Sequence, residues 1–384
     1  MFRKPRAVLV TGWWKGNSRS TFQAALKLIS VLQPLCSQVG WVITNQSVEA
    51  SLNRNTTLVR IRSRYVEGAL LKVVFYNLLH QARVTLALLK LIIRSKVDVF
   101  VFAFGSDSLI LPILFARLAR KKVIIRSDGR PSYVVRKYYE KPNKVKVALF
   151  CMMETIAYSL ANKIAPECEY MVELYSLQRY STKVNIGNLY VDASVFKKTR
   201  KLAERTYEVG YIGRLSKEKG VIEFVQSLPL LATNRQIRAL IVGDGELNDK
   251  IEKMLARSKI QGKANLLRWV EQEEIPSYLN DMKVLVVPSS REGLPNIVLE
   301  SMACGTPVLA TPVGGIPDVI RDGETGFIME DNSPGCIARN VVRVLKHPDL
   351  EQIATNARAL IEKEYTYEAA VERYRNILTS LRRK

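Results

Sequence analysis

The amino-acid sequence predicts an α/β fold with two Rossmann-like halves, on three observations. The chain has 384 residues, enough for about two domains of roughly 100–200 residues each. Short apolar runs rich in Val, Ile and Phe alternate with longer amphipathic segments, which is typical of buried parallel strands joined by helices. A polar stretch at residues 197–206 separates two such series, and we interpret it as a linker between domains with a cleft between them.

Both halves repeat the pattern of strand followed by helix, which indicates parallel sheets with right-handed crossovers. The predicted strands span residues 7–11, 99–104, 122–126, 208–212, 238–242, 284–287 and 307–310. Helical spacing of apolar residues predicts helices at 20–32, 65–95, 222–231, 246–257, 297–303 and 367–381. The last of these is long and amphipathic.

Nearly all of the chain's net positive charge lies in its first half. The formal net charge is +22. Residues 1–200 hold 32 Lys and Arg against 11 Asp and Glu, a net of +21, whereas residues 201–384 hold 26 and 25, a net of +1. A field this one-sided attracts a polyanion, which can be an anionic membrane face, a nucleic acid or a phosphorylated substrate.

Composition excludes several kinds of active site. The five cysteines are scattered and form no C-x-x-C, which predicts free thiols in a reducing compartment. With only His80 and His347, a His-rich metal site is excluded, and no Asp-x-Asp pair is present to hold a metal against a diphosphate. We expect both histidines to be structural rather than members of a Ser-His-Asp triad.

The apolar stretches are too short to span a membrane. The longest, at 84–93, 97–104 and 109–116, fall short of the roughly 18–20 residues that a spanning helix needs. The first apolar run is also too short for a signal peptide. We therefore expect a cytoplasmic protein, or one that is peripheral on the inner face of the membrane.

Charged residues follow predicted strands of the second half, where open α/β sheets bind ligands. Arg214 and Lys219 come after the strand that ends at Gly213. A guanidinium and an ammonium at the start of a helix suit a diphosphate. A further segment, the G-x-G at 243–245, does not complete a dinucleotide motif, and we interpret it as a turn that closes its strand.

Two glutamates mark the next strand end. Glu292 lies in the loop after the strand at 284–287, and Glu300 lies on the following helix, with Pro295 predicted at its first position. The loop and the helix start offer backbone N–H groups to phosphate. The Glu300 carboxylate can accept the protons of two ribose hydroxyls.

These motifs, in this order and spacing, resemble the C-terminal domain of the retaining GT-B glycosyltransferases of glycosyltransferase family 4 (glycosyl transferases group 1). The resemblance covers residues 208–330. It rests on the motifs at 213–220, 243–245, 292–300, 302–308, 314–318 and 322–326. It implies two Rossmann-like domains whose parallel sheets face each other across a cleft. The implied domains are an acceptor-binding domain at 1–195, a nucleotide-sugar-binding domain at 196–365, and a C-terminal helix at 366–384 that crosses back onto the first domain.

The resemblance assigns roles residue by residue. It implies that Arg214 and Lys219 hold the donor diphosphate, Glu300 holds the ribose and Glu292 faces the transferred sugar. Trp269 and Val270 match the segment that flanks the base, although Arg268 replaces the usual glycine before them. The implied donor-binding residues are Gly16, Gly213, Arg214, Lys219, Trp269, Val270, Glu292, Gly293, Leu294, Pro295, Asn296, Ile297, Val298 and Glu300. The implied donor is a UDP- or GDP-sugar, with no cofactor and no metal.

The first half matches the family less closely. Gly16 falls where the family often has Gly-Gly contacting phosphate, and Ser127-Asp128 falls where it frequently has His-Asp touching the sugar. Either Ser127 and Asp128 supply the polar contacts, or the activity is altered. The implied catalytic residues are Arg214, Lys219, Glu292, Asp128 and Ser127.

The chemistry expected of these residues needs no metal. Arg214, Lys219 and helix N–H groups can stabilise the charge that grows on the departing phosphate. No strong nucleophile or histidine base is evident. We therefore expect a same-face displacement, in which the leaving phosphate takes the acceptor proton and the anomeric configuration is retained.

The basic first half predicts a membrane contact. Cations interleave with aromatic residues in a predicted flap made of Arg136, Lys137, Tyr138, Tyr139, Lys141, Lys144 and Lys146. Residues 65–95 form a second candidate contact, with most of that helix expected in the core. The expected acceptor is a lipid-linked or cell-envelope glycan.

Three alternatives remain: a transferase with a soluble acceptor, a sugar epimerase, and a basic nucleic-acid-binding protein. No nucleic-acid-binding motif is recognised, so we expect no nucleic acid partner.

Overall fold

The chain folds into two compact units in a computed structural model. The structure describes residues 3–12, 19–44, 56–63, 70–106, 109–130, 132–133, 136, 144–232, 237–258, 260 and 262–382. Unit 1 comprises Met1–Leu189 together with Ala370–Lys384, and unit 2 comprises Tyr190–Ala369. Each unit contains a six-stranded parallel sheet with helices, so the predicted α/β class is confirmed.

The sheet of unit 1 has the strand order β3-β2-β1-β4-β5-β6. Its strands are β1 (Arg6–Thr11), β2 (Gln38–Thr44), β3 (Thr56–Ile61), β4 (Val99–Ala103), β5 (Lys122–Ser127) and β6 (Lys163–Pro166). In the parallel register, Leu9 of β1 pairs with Trp41 on one side and Val101 on the other. Strand order therefore reverses between β1 and β4, and the carboxyl ends of these two strands form a topological switch point.

The described helices of unit 1 are α1 (Arg19–Leu32), α2 (Leu70–Ser95), α3 (Ile110–Leu118), α4 (Lys144–Leu160) and the short α5 (Glu169–Leu174). Three of them, α2, α3 and α4, lie side by side on one face of the sheet. Side chains of α2, α3 and α4 share one core with alternate residues of β1, β4 and β5, such as Val8, Phe100 and Val123. Helix α2 packs on α3, and α3 packs on α4.

Unit 2 has the strand order β12-β11-β10-β7-β8-β9. Its strands are β7 (Val209–Ile212), β8 (Ala239–Val242), β9 (Ala264–Leu267), β10 (Leu285–Val287), β11 (Val308–Ala310) and β12 (Phe327–Ile328). Its helices are α6 (Val221–Ala232), α7 (Asn248–Arg257), α8 (Ile275–Asp281), α9 (Asn296–Ala303), α10 (Ile316–Val319), α11 (Pro334–Leu345) and α12 (Leu350–Glu364). The order reverses between β7 and β10, whose carboxyl ends form the switch point of this sheet.

The C-terminal helix α13 (Tyr367–Ser380) begins in unit 2 and belongs to unit 1 from Ala370 onward. The hydroxyl of Tyr374 donates to the carbonyl of Gly187 over 3.0 Å, and both residues are in unit 1. The chain thus passes between the units twice, after Leu189 and after residue 369.

The stretch at 197–206, interpreted from the sequence as a linker, lies inside unit 2. A 3₁₀ turn forms at Leu202–Glu204, and Arg205 is 2% exposed. The guanidinium of Arg205 donates to the carbonyls of Met282 (2.9 Å) and Cys304 (3.0 Å). The linker interpretation was wrong because a polar composition also arises where a buried cation satisfies backbone carbonyls.

Charge follows the units even more sharply than the halves of the sequence. Unit 1 contains 34 Lys and Arg against 11 Asp and Glu, a net of +23. Unit 2 contains 24 and 25, a net of −1. Two changes account for the difference: residues 370–384 add a net charge of +4 to unit 1, and residues 190–200, with a net charge of +2, belong to unit 2.

Candidate functional site

The candidate site of unit 2 lies at the switch point between β7 and β10. The segment after β7 forms a 3₁₀ turn at Lys217–Lys219, and the loop after β10 contains Ser289 and Glu292. The two segments are joined where the N–H of Ser290 donates to the carbonyl of Glu218 over 2.9 Å. Crevices at such switch points are where open α/β sheets bind ligands.

Lys219 and Glu292 form a bidentate ion pair at this point. The Lys219 Nζ lies 2.7 Å from both Oε1 and Oε2 of Glu292. The Ser289 hydroxyl donates to Glu292 Oε1 over 2.7 Å. The Glu292 side chain is 7% exposed and that of Lys219 is 28% exposed. The pair therefore presents a positioned ammonium to solvent, with its carboxylate partner held beneath.

Two glycines permit the close backbone approach that builds this site. Gly220 has φ +70° and ends the 3₁₀ turn, and an added Cβ would lie 2.1 Å from the Pro288 carbonyl oxygen. Gly314 has φ +61°, and its Cβ would lie 2.3 Å from the Glu292 carbonyl oxygen. Only glycine satisfies both the positive φ and the spacing. The G-G-x-P-D motif thus fixes the loop that carries Glu292.

Helix α9 starts beside this loop and brings Glu300 into the same region of the fold. The helix begins at Asn296, so Pro295 is its N-cap rather than its first residue as predicted. The first N–H groups of a helix lack intrahelical acceptors and attract anions. Glu300 lies one turn further on and is 6% exposed. Leu294 and Val298 are buried in the core, so their contribution to a ligand site is through the backbone.

Arg214 is the exposed cation of the site. Its side chain is 60% exposed, and its Nη1 lies 3.7 Å from Glu218 Oε1, a loose surface contact. Its carbonyl accepts a 2.7 Å hydrogen bond from Tyr211, and burial together with the nearby Glu292 raises the pKa of that tyrosine. Because Arg214 is exposed and weakly paired, the guanidinium is available to an anionic ligand.

The remaining predicted donor residues lie after the neighbouring strands. Gly213 follows β7, and its N–H donates to the Val242 carbonyl over 3.0 Å. Trp269 and Val270 follow β9; the indole is 55% exposed, whereas Val270 packs against the core. An exposed aromatic ring after a strand can stack on a base.

Asp128, a predicted site residue of unit 1, is held by a buried cation, Arg126. This guanidinium is bonded to Asp128, to Glu167 (3.0 Å) and to the Gly187 carbonyl (3.3 Å). Asp128 also accepts the N–H of Phe104 over 2.9 Å. Burial, together with the Glu167 carboxylate, raises the pKa of Asp128 to about 6 despite Arg126. Asp128 thus lies beside the carboxyl end of β4.

Ser127 has a different environment from the one predicted. It is fully buried, and its hydroxyl lies 2.9 Å from that of Tyr158, also buried. The side chain therefore lies in the core, and this burial does not favour the alternative in which Ser127 supplies a polar contact to the sugar. Successive residues of a strand point to opposite faces, and the sequence did not show which face Ser127 takes.

Several predicted residues lie outside the described part of the chain. These are Gly16 and the flap residues Lys137, Tyr138, Tyr139 and Lys141. Arg136 and Lys144 are described and exposed, and Lys146 lies on α4. Sequence reasoning missed Ser289 and Arg126. Ser289 immediately follows a buried strand, and Arg126 is a cation inside an apolar strand, which are the two signals that mark them.

The fold is of the GT-B type. A crystal structure of Anabaena HepE in complex with UDP matches 98% of this chain and 100% of its own, with a TM-score of 0.75 and 15% identity. Residues 193–360 match the family model described as Glycosyl transferases group 1. The matched residues lie within unit 2.

Relatives of known name also match part of the chain. The capsular polysaccharide biosynthesis glycosyltransferase CapM of Staphylococcus aureus is 28% identical over 60% of this chain and 62% of its own length. The N-acetyl-alpha-D-glucosaminyl L-malate synthase of Bacillus anthracis is 28% identical over 48% of this chain and 49% of its own. The chain thus spans about half to three-fifths of the length of these relatives. Among the described residues, no helix has the length and apolar character to cross a membrane.

Proposed function

We propose that the chain is a glycosyltransferase that moves a sugar from a nucleotide-diphosphate sugar to a glycan acceptor. The observation that carries the proposal is the Lys219–Glu292 pair at the switch point of unit 2, within the residues that match the group 1 family. HepE, which shares the fold, binds UDP in its crystal structure. A uridine or guanosine diphosphate sugar is the proposed donor.

The donor diphosphate lies against Lys219, Arg214 and the first N–H groups of α9. Charge grows on the β-phosphate as the bond to the sugar breaks, and these groups are in place before it develops. Fixed donors of this kind lower a barrier by roughly 3–4 kcal/mol each. Because two cations and a helix terminus supply the positive charge, the proposed reaction is metal-independent. Glu292, held by Lys219 and Ser289, faces the sugar, and Glu300 accepts the ribose hydroxyls.

We propose that the reaction retains the anomeric configuration. Neither histidine belongs to the residues of the unit 2 site: His80 is buried on α2 of unit 1, and His347 follows α11. The departing phosphate oxygen therefore takes the proton of the acceptor hydroxyl. The acceptor oxygen forms its bond to the anomeric carbon on the face that the phosphate leaves. The base and the leaving group are the same phosphate, so no separate proton acceptor is needed.

The proposed acceptor is a lipid-linked or cell-envelope glycan at the inner face of the membrane. CapM is named for capsular polysaccharide biosynthesis. Unit 1 carries a net charge of +23, which favours an anionic surface. A second candidate is a small soluble acceptor, because another relative is named for synthesis of an L-malate glycoside.

The proposal is tested by the thermal stability of the protein with UDP-, GDP- and ADP-sugars. Ligand at 100 times its Kd stabilises the fold by about 2.7 kcal/mol, so the true donor raises the melting temperature and the others do not. The response is lost in Lys219→Ala and kept in Lys217→Ala, an exposed lysine on the same turn. Salt-sensitive binding to DNA with no response to any nucleotide sugar would replace the proposal with nucleic-acid binding. Turnover of the donor without an acceptor would indicate an epimerase.

A further inference from the structure

Helices α2, α3 and α4 of unit 1 leave a large apolar surface exposed. Sixteen large hydrophobic side chains are more than a third exposed in the described part of the chain, and thirteen of them lie on these three helices. Phe75 is 61% exposed, Ile93 70%, Leu118 74% and Val145 72%. Soluble proteins rarely expose contiguous apolar patches of this kind without an interaction partner.

The exposed residues of α2 form a stripe that points away from the core. Val74, Phe75, Leu78, Leu86, Leu89 and Ile93 are more than a third exposed, and at about 100° per residue they fall within roughly 120° of the helix circumference. The buried residues Val84, Leu88 and Leu91 lie on the opposite side. The helix is thus apolar on two faces, one toward the sheet and one outward.

The stripe continues across the neighbouring helices. On α3 the exposed residues are Leu111, Leu114 and Leu118, and on α4 they are Val145, Leu149, Met152 and Ile156. Both sets follow spacings of three and four, so each forms a single outward line. Since α2 packs on α3 and α3 on α4, and all three share the same core, the lines lie side by side. We call this surface the outer face.

In the described part of α2, α3 and α4, cations flank the outer face, and the single acid of these helices is buried. On α2, Lys72, Arg83, Lys90 and Arg94 fall within about 40° of one another, beside the apolar stripe. The three helices contain seven Lys and Arg and one acid, Glu154. Glu154 is buried, and its Oε2 lies 2.7 Å from Arg130. As far as the described residues go, the outer face therefore combines apolar area with an excess of positive charge.

We propose that the outer face docks on an anionic lipid bilayer, with its apolar stripes at the acyl boundary and its cations at the headgroups. The inference deepens the membrane-face acceptor of the proposed function and in that respect rests on it. A second copy of the chain would set the same cations against each other. Nucleic acid would match the charge but leave the apolar area in water. An anionic bilayer supplies both apolar depth and negative charge.

The experiment is sedimentation of the full chain with vesicles of phosphatidylcholine alone or with phosphatidylglycerol added. The wild-type protein partitions at least about tenfold better onto the anionic vesicles, and the difference shrinks as salt is raised. Phe75→Gln/Leu86→Gln/Ile93→Gln removes exposed apolar area, and Lys72→Gln/Lys90→Gln/Arg94→Gln removes charge. Each lowers partitioning by about tenfold or more.

A matched control tests whether vesicle binding depends on the cations of the outer face or on the total charge of the protein. Lys250→Gln/Lys253→Gln/Arg257→Gln removes three exposed cations from α7 of unit 2, and partitioning stays at the wild-type level. The melting temperature of every variant, and its response to nucleotide sugar, show that the fold and the donor site are intact.

Equal, negligible sedimentation with both kinds of vesicle would overturn the proposal, as would variants that partition like the wild type. A concentration-dependent dimer that the apolar substitutions abolish, without vesicle binding, would assign the outer face to a second copy. Vesicle binding without any nucleotide response would contradict the proposed function and support the docking surface. A response to nucleotide sugar without vesicle binding would support the proposed function and contradict the docking surface.

Discussion

The charges of three buried arginines are satisfied in two different ways, by carboxylates in unit 1 and by backbone carbonyls in unit 2. Arg126 and Arg130 of unit 1 are neutralised by carboxylates. Arg205 of unit 2 instead donates to backbone carbonyls at the ends of α8 and α9, and to the Thr306 hydroxyl. A cation is favourable at a helix C-terminus. Burial lowers the pKa of Arg205 to about 10, so it stays charged at neutral pH.

Replacing Arg205 should destabilise unit 2. Arg205→Met keeps most of the side-chain volume but leaves buried carbonyls without donors, at a cost of about 2–4 kcal/mol. The free energy of unfolding, measured by urea denaturation, should fall by that amount. The donor site should weaken as well, because α9 carries both Glu300 and the N–H groups at its start.

Arg200→Met is the matched control for Arg205→Met. Arg200 lies five residues earlier and pairs with Asp281, with side chains 51% and 28% exposed. Such a surface pair contributes less than about 1 kcal/mol. Similar losses of stability in the two variants would contradict the role assigned to Arg205.

Sequence motifs singled out candidate residues of unit 2, but they did not predict how those residues pair. Lys219 and Glu292 were predicted to contact different parts of the donor, and the structure joins them at 2.7 Å. That contact depends on β7 and β10 being neighbours, although β8 and β9 lie between them in the chain. Strand order is a property of the whole sheet, so local spacing does not reveal it.

At the scale of elements, apolar runs predicted the central strands well. The prediction at 122–126 corresponds to β5, and that at 238–242 contains β8. Strands β2, β3, β6, β9 and β12 were not predicted. Asn265 interrupts the apolar run of β9, and β12 has only two residues. Of the five, β3, β6, β9 and β12 are edge strands that pair with one neighbour, whereas β2 lies between β1 and β3.

Helix α2 was predicted from the sequence, but the exposure of one of its faces was not. Its existence follows from the spacing of its apolar residues, but most of it was expected in the core. The helix is apolar on two faces and is buried on only one. Periodicity cannot distinguish an apolar face that meets the sheet from one that meets solvent.

The loop after β10 offers a test at the element scale. Gly314→Ala forces a residue with φ +61° to accept a Cβ 2.3 Å from the Glu292 carbonyl oxygen. The left-handed backbone alone costs about 1–2 kcal/mol. The clash also displaces the Glu292 loop, so donor affinity should fall by more than tenfold in a calorimetric titration.

Gly323→Ala is the control that separates the effect of backbone strain from the effect of displacing the Glu292 loop. Gly323 has φ +75° with open space where its Cβ would lie. It should lose similar stability but keep the affinity of the wild-type protein. Equal affinity for the donor in both variants would show that the close approach of Gly314 does not shape the site.

At the scale of the whole molecule, the two units differ in net charge and in the roles proposed for them. Unit 2, with a net charge of −1, carries the residues proposed to bind the nucleotide diphosphate. Unit 1, with +23, carries the outer face. In the proposed function, the overall charge of +22 serves the membrane contact of unit 1, whereas the reaction depends on a few cations of unit 2.

The central claim is that Lys219 stabilises the departing diphosphate, and kcat/KM for sugar transfer by the intact chain tests it most directly. Loss of one positioned donor costs about 100-fold or more. Lys219→Ala should therefore lower kcat/KM by at least about 100-fold, while Lys217→Ala on the same turn should stay within about threefold of the wild-type value. A loss of less than about tenfold in Lys219→Ala, or equal losses in the two variants, would contradict the account.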